Sequence, residues 1–127
     1  MKHCAIFLSL LIIALCGCSN STQPPAAFSQ QLSTADRLVA TNRYFAFGST
    51  VTGTEVSSLA KAVTSAKRQT LGAATDCDWD ADFFAGTNHL AVIHLHDSVI
   101  SVDGIQYRDD SGVVTKFWQK PLTERTR

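Results

Sequence analysis

Residues 90–107 read LAVIHLHDSVISVDGIQY and contain three short apolar runs separated by turn signals. The runs 90–96, 99–102 and 105–107 are rich in the branched and aromatic residues that favour strands. Asp103 and Gly104, between the second and third runs, indicate a two-residue hairpin turn, because both turn positions need positive φ. This stretch therefore predicts an antiparallel meander.

Further elements are predicted on both sides of this meander. Residues 113–118 (VVTKFW) predict a last strand, and residues 43–47 (RYFAF) predict a first one. Thr52 and Glu55 have the spacing of a capping box, and apolar residues at helical spacing follow them. A helix is therefore expected from about residue 53 to residue 71. The predicted fold class is α+β, with one main helix packed on an antiparallel meander sheet of about four strands.

The composition limits both the size and the partners of the protein. The chain has 127 residues, of which 45% are hydrophobic, with 11 basic and 11 acidic side chains. It is too short for two ordinary domains and too apolar for a disordered chain. A pI near 6.9 argues against a strongly basic nucleic-acid binder. We therefore expect one small globular domain that does not bind nucleic acid.

The N-terminal segment has the pattern of an export signal. It reads MKHCAIFLSLLIIALCGC, and all of residues 5–15 except Ser9 are apolar. A run of this length is too short to cross a hydrocarbon core about 30 Å thick, which needs roughly 20 helical residues. The segment therefore predicts a cleaved secretory signal peptide.

The end of this segment, Leu15-Cys16-Gly17-Cys18, resembles the lipobox of bacterial lipoproteins. The resemblance implies that the chain is cut before Cys18 and that this cysteine carries the acyl chains (palmitate among them). Ser19 after it implies sorting to the outer membrane, facing the periplasm. The predicted organisation is a signal peptide at 1–17, a lipidated N-terminus with a flexible tether at 18–27, and a single periplasmic α+β domain at 28–127.

Processing also changes the cysteine count. Cys4 and Cys16 leave with the signal peptide and Cys18 is consumed by lipid, so Cys77 is left alone. The mature chain can therefore form no internal disulfide. We expect the thiol to be buried or paired with another chain.

An acidic stretch, TDCDWDADFFAG, places aspartates at alternate positions from Asp76 to Asp82. Its first three acids match the start of a calcium-binding loop of the EF-hand type. The match then fails, because Ala81 replaces the glycine of position six and Thr87 replaces the glutamate of position twelve. The stretch is interpreted as a solvated acidic loop beside buried aromatic residues.

Two histidines, His94 and His96, are two positions apart in a predicted strand and should therefore point to one face. Such a pair can bind zinc or copper through its imidazole nitrogens. A third ligand could come from His89, Asp97 or the acidic stretch. A metal-binding periplasmic lipoprotein that uses His94 and His96 is therefore the alternative functional hypothesis.

A second resemblance concerns residues 43–63, RYFAFGSTVTGTEVSSLAKAV. They resemble the first strand and helix of the peptidoglycan-binding domains of the outer-membrane protein A type. The Gly-x-Thr-Asp strand end and the later Asn…Leu-Ser…Arg-Ala helix of that family, which bind the peptide stem, are missing from this sequence. A peptidoglycan-associated lipoprotein is therefore a weaker alternative.

The sequence favours a non-enzymatic outer-membrane lipoprotein. No nucleophile elbow of the Gly-x-Ser-x-Gly type and no glycine-rich phosphate loop is present, so no catalytic residue, cofactor or small-molecule substrate is predicted. Cys18 is the one site residue predicted, as the point of lipidation. The expected partners are the membrane, through the lipid anchor, and an envelope protein. The chain would be a structural or protein-binding subunit of an envelope complex such as a secretion or conjugation apparatus, with strand edges that a partner can extend.

Overall fold

The computed structural model describes residues 22–44, 48–69 and 77–119. The α+β fold class is confirmed, with three helices and one seven-stranded antiparallel sheet among these residues. In chain order the elements are α1 Ala26–Leu32, β1 Arg37–Asn42, β2 Gly48–Thr52, α2 Thr54–Ser65, β3 Lys67–Arg68, β4 Trp79–Ala85, β5 Asn88–His96, β6 Val99–Val102, β7 Ile105–Arg108 and α3 Val113–Gln119.

The strand order across the sheet is β2-β1-β4-β5-β6-β7-β3. The four strands from β4 to β7 follow one another as a meander, of which β5, β6 and β7 are predicted from the sequence. The hairpin β1–β2 is added beside β4, and the two-residue strand β3 is added beside β7. Helix α2 follows β2 at one edge of the sheet and leads directly into β3 at the other edge. The segment that joins the two edges is therefore the main helix.

The predicted hairpin at Asp103-Gly104 is confirmed. Both residues have positive φ, +50° and +78°, and Val102 pairs with Ile105 directly beside them. Positive φ is unfavourable for most side chains but is tolerated by aspartate and costs glycine nothing. The two residues therefore fix the register of the β6–β7 hairpin.

The prediction of about four strands is wrong in its count. The acidic stretch forms β4 instead of a loop, because its polar and apolar residues alternate with the period of a strand. Ala81 and Phe83 are fully buried, whereas Asp80 and Asp82 lie on the opposite face. Residues 37–42, for which no strand is predicted from the sequence, form β1.

The predicted last strand, residues 113–118, is a helix, α3. Its β-branched start favours a strand locally, but Val114 and Phe117 lie one helical turn apart and are buried in the core. Trp118 stacks on Trp79 of β4, with ring centroids 4.5 Å apart. Tertiary packing therefore overrides the local preference for strand.

The main helix is shorter than predicted and begins differently. Gly53, with a φ of +74°, occupies the N-cap position, so Thr52 does not cap the helix and remains in β2. The helix ends at Ser65 because Ala66 is extended, and Lys67 and Arg68 then pair with β7. Pairing with an open sheet edge thus replaces the last predicted helical turns.

The predicted first strand at 43–47 is also wrong where it is described. Arg43 and Tyr44 form a turn in which the Asn42 Oδ1 atom accepts a hydrogen bond from the Tyr44 N–H, at 2.9 Å. Asparagine commonly closes a turn in this way. The rest of that predicted strand, residues 45–47, lies outside the described residues.

The described chain begins inside the predicted tether. Pro24 is buried, helix α1 begins at Ala26, and the Thr22 carbonyl accepts a hydrogen bond from the Arg68 N–H. The folded part therefore starts before the predicted boundary at residue 28. Residues 1–21, with the predicted signal peptide and Cys18, lie outside the described residues.

The core lies between the sheet and the helices. Leu38, Phe83, Ile93 and Ile100 project from the sheet and meet apolar residues of all three helices. Cys77 is buried, which agrees with the first of the two expectations for its thiol. None of the described helices, the longest of which has 12 residues, is long and apolar enough to cross a membrane.

We expect the start of α3 to depend on Asp109, which is 5% exposed. Its carboxylate accepts hydrogen bonds from the Ser111 N–H and hydroxyl, at 3.0 and 2.5 Å, and from the Val114 N–H, at 2.9 Å. Asp109→Ala should lower the free energy of unfolding by about 2 kcal/mol, since it removes a helix cap. Urea denaturation measures this loss.

The matched control is Asp110→Ala, because the neighbouring Asp110 is exposed. It should change the stability by less than about 0.5 kcal/mol. Equal effects of the two substitutions would show that Asp109 does not cap α3.

Candidate functional site

Three aspartates lie on the face of β4 that points away from the helices. Asp80 and Asp82 alternate with the buried Ala81 and Phe83, and Asp78 continues the row just before the strand begins. Asp76 lies outside the described residues. Strand geometry spreads Asp78, Asp80 and Asp82 along a row, whereas a calcium-binding loop would gather their carboxylates around one point.

Three histidines of β5 lie on the same face of the sheet. His94 and His96 share it because they are two positions apart, as predicted. His89 would face the other way in a regular strand, but the register shifts so that Phe84 pairs with His89 while Phe83 pairs with Ala91. This β-bulge turns His89 outward and lets Leu90 pack against the core.

Each histidine meets one aspartate across the β4–β5 pair. We call these six residues the Asp–His ladder. Its three contacts are His96 Nδ1 to Asp78 Oδ1 at 3.2 Å, His94 Nδ1 to Asp80 Oδ1 at 2.6 Å, and His89 Nε2 to Asp82 Oδ1 at 2.8 Å. The side chains are between 27% and 48% exposed, so the ladder faces solvent.

Arg43 reaches over the middle contact of the ladder. Its Nε atom donates to Asp80 Oδ1 at 2.9 Å, and its Nη2 atom lies 2.8 Å from His94 Nδ1. The turn after β1 positions Arg43, because the Arg43 N–H donates to the Asp78 carbonyl. The Arg43 guanidinium therefore supplies positive charge beside Asp80, the middle carboxylate of the row.

Asp80, His94 and Arg43 cannot form all of their mutual hydrogen bonds in one protonation state. An ionised carboxylate only accepts hydrogen bonds, so Nδ1 of His94 must carry a proton to bond Asp80. Arginine only donates, and it cannot donate to a nitrogen that already carries a proton. The 2.6 Å contact with Asp80 favours the Nδ1–H form of His94 and leaves its Nε2 lone pair facing away from Asp80.

The ladder does not form a compact metal centre. Each contact brings together one nitrogen and one oxygen, and Asp97 lies in the turn after β5. Among the residues that the structure describes, no group of three or more His, Cys, Asp or Glu side chains could hold a metal ion. At the contact between His94 and Asp80, the positive charge beside the carboxylate already comes from the Arg43 guanidinium.

The strand register also brings a hydroxyl beside the ladder. Asp80 pairs with His94, and His94 pairs with Ser101 of β6, so the three side chains form a row across three strands. An aspartate, a histidine and a serine in this order are the groups of a nucleophilic triad. In the described part of the chain, however, no hydrogen bond joins His94 to Ser101, whereas such a bond is the mark of a serine paired with its base.

The direct effect of the ladder is electrostatic. Alternation in β4 places three like charges on one open face, where they repel one another, and the imidazoles and Arg43 offset that repulsion. Cross-strand pairs of this exposure contribute about 0.2–1 kcal/mol each. Neither the role of Arg43 nor the pairing of the aspartates with the histidines is predicted from the sequence. The polar residues of both strands recur with a period of two, however, and this period signals that they share one face.

We expect the His94 imidazole, when neutral, to carry its proton on Nδ1. Long-range ¹H–¹⁵N spectra distinguish the two tautomers directly. In Asp80→Ala the acceptor is removed, Arg43 Nη2 becomes free to donate to Nδ1, and the proton should move to Nε2.

Asp97→Ala is the control, since it removes an exposed acid from the turn next to the ladder without touching His94. It should leave the tautomer unchanged. An unprotonated Nδ1 in the unaltered protein would contradict the assignment, because Nδ1 would then accept a hydrogen bond from Arg43 instead of donating one to Asp80.

Comparison with known proteins adds no further identification. No protein-family model matches the sequence, and the searches of curated proteins and of solved structures find no match either.

Proposed function

We propose that this chain is a non-enzymatic lipoprotein of the outer membrane that faces the periplasm and binds another envelope protein. In this proposal, acyl chains on Cys18 hold the protein at the membrane and the folded domain supplies the protein-binding surface. A subunit of an envelope complex, such as a secretion or conjugation apparatus, would combine these two properties.

The observation that carries the proposal is the edge strand β2. Its sequence, GSTVT, has no charged residue and no proline, and its alternate residues are exposed. Natural proteins usually protect an open edge with charge, proline or a very short strand, because its free N–H and C=O groups can pair with another chain. The opposite edge, β3, has two residues, both basic, and is protected in this way.

An unprotected edge favours one kind of partner. A strand of another protein can pair with β2 through main-chain hydrogen bonds, and pockets for alternate side chains then provide specificity. Among residues 22–44, 48–69 and 77–119, the five residues of β2 pair with β1 alone, because β2 is the outermost strand that they form. The proposal therefore assigns partner binding to this edge and not to the Asp–His ladder.

The support for lipidation comes from residues 15–18. Leu15, Gly17 and Cys18 fit the lipobox pattern, with Cys16 at the remaining position. Each buried methylene of an acyl chain contributes about 0.8 kcal/mol, so two or three chains suffice for stable anchoring.

The two alternatives have less support. Metal binding through His94 and His96 lacks a third ligand close to both, since the described residues contain no group of three or more His, Cys, Asp or Glu that could hold a metal ion. Elemental analysis of the mature protein after exposure to zinc or copper tests metal binding.

Peptidoglycan binding loses part of the resemblance that supports it, because Arg43 and Tyr44 form a turn instead of the start of a strand. Sedimentation with isolated cell wall tests this alternative.

We expect mass spectrometry of the native protein to find an N-terminus at Cys18 carrying two or three acyl chains. Cys18→Ser should abolish acylation and processing at this site. Cys16→Ser is the matched control and should leave both unchanged, because Cys16 is removed with the signal peptide. A free thiol at Cys18 in a soluble protein would refute the anchor.

We expect Thr50→Lys to abolish partner binding, since a charged side chain on an edge strand opposes the addition of another strand. Thr50 is exposed in the middle of β2. Crosslinking of intact envelopes followed by purification should recover one stoichiometric partner with the unaltered protein and not with this variant.

The control is Ser57→Lys, which adds the same charge at an exposed position of α2. It should retain the partner. Recovery of the partner with both variants would exclude β2 as the binding edge, and recovery of the monomer alone from the unaltered protein would count against a stable complex.

A further inference from the structure

The edge of the sheet opposite β2 carries three exposed basic residues. Lys67 and Arg68 form β3, and Arg108 ends β7. Lys67 pairs directly with Arg108, and like charges in this position repel each other. We call these three residues the basic edge.

No acidic side chain compensates the basic edge within the described residues. All the ion pairs among the described residues join an aspartate of the Asp–His ladder to a histidine of the ladder or to Arg43. Asp109, next to Arg108, is buried and directs its carboxylate to the start of α3. Asp110 is exposed but forms no ion pair with the edge. The repulsion between these basic residues is therefore not relieved by the described acidic side chains, and binding to an anionic partner would relieve it.

The N-terminal chain reaches the domain at the same edge. The Thr22 carbonyl accepts a hydrogen bond from the Arg68 N–H, which fixes Thr22 beside β3. Cys18 precedes Thr22 by four residues, and four extended residues span at most about 14 Å. An acylated Cys18 would therefore hold the basic edge within about 14 Å of the lipid surface.

We infer that the basic edge docks on the anionic phospholipid headgroups of the leaflet that holds the lipid anchor, an inference that rests on the proposed lipidation of Cys18. Basic residues next to an anionic surface each strengthen association about fivefold. Contacts of all three basic residues with the headgroups fix the orientation of the domain, whereas the tether alone would leave the domain free to rotate.

This orientation places the two edges of the sheet at different heights. Six strand spacings of about 4.8 Å separate β3 from β2, so the partner-binding edge would stand about 29 Å above the basic edge. Docking at one edge therefore presents the unprotected edge to the aqueous compartment.

The experiment measures the reactivity of Lys67 towards a water-soluble amine reagent. The purified, acylated full-length mature protein is reconstituted in vesicles of phosphatidylcholine, or of phosphatidylcholine with phosphatidylglycerol. Labelling of Lys67 should be at least about fivefold lower on the anionic vesicles. Lys116, exposed on α3, should be labelled equally on both and serves as the internal control.

Two arginines on the outward face of the sheet provide matched variants. Arg108→Gln should raise the Lys67 labelling on anionic vesicles by up to about fivefold, whereas Arg37→Gln, on β1 near the other edge of the sheet, should leave it unchanged. Salt at about 1 M should also restore labelling, because the Debye length falls to about 3 Å.

The outcomes separate this inference from the proposed function. Protein that floats with both kinds of vesicle but shows equal Lys67 labelling overturns the docking surface and leaves the anchor intact. Protein that floats with neither kind lacks the anchor, and the inference then falls with the proposed function.

Discussion

The pairing of β4 with β5 is the constraint on which the rest of the structure depends. Its register sends Phe83 and Ile93 into the core and, with the same alternation, sends Asp80 and His94 to the open face. A slip of one residue would exchange the two faces, burying carboxylates under the helices and exposing aromatic rings. Burial on one side and charge pairing on the other therefore select the same register.

The sheet is asymmetric from edge to edge as well as from face to face. One edge is short, basic and close to the N-terminal chain, whereas the other is longer, uncharged and open. Helix α2 links them across the covered face, and its buried residues, Val56, Leu59 and Val63, hold both ends of the sheet to one core. The proposed anchoring and partner-binding surfaces thus lie at opposite ends of one rigid layer.

The sequence predicts elements whose signals are local and fails where partners are distant. The Asp103-Gly104 turn and the strand that ends at His96 follow from neighbouring residues, and both are confirmed. The acidic stretch is predicted to be a loop because aspartate is rare in strands unless a partner offsets its charge. The partners that offset the charge here are the histidines of β5, which are distant in the sequence. Residues 113–118 form a helix because Asp109 and the core outweigh a β-branched start. Arg43 joins the ladder only through a turn that the sequence does not reveal.

The connectivity of the sheet has a consequence for how the polypeptide is made. Lys67 pairs with Arg108, 41 positions later, and β1 pairs with β4 across the whole of α2 and β3. A nascent chain that emerges N-terminus first therefore cannot attach β1 and β2 to the meander until β4 is available, and it cannot pair β3 until β7 is available. The domain should fold as a single cooperative unit once β7 has emerged, and the newly made chain must stay unaggregated until then.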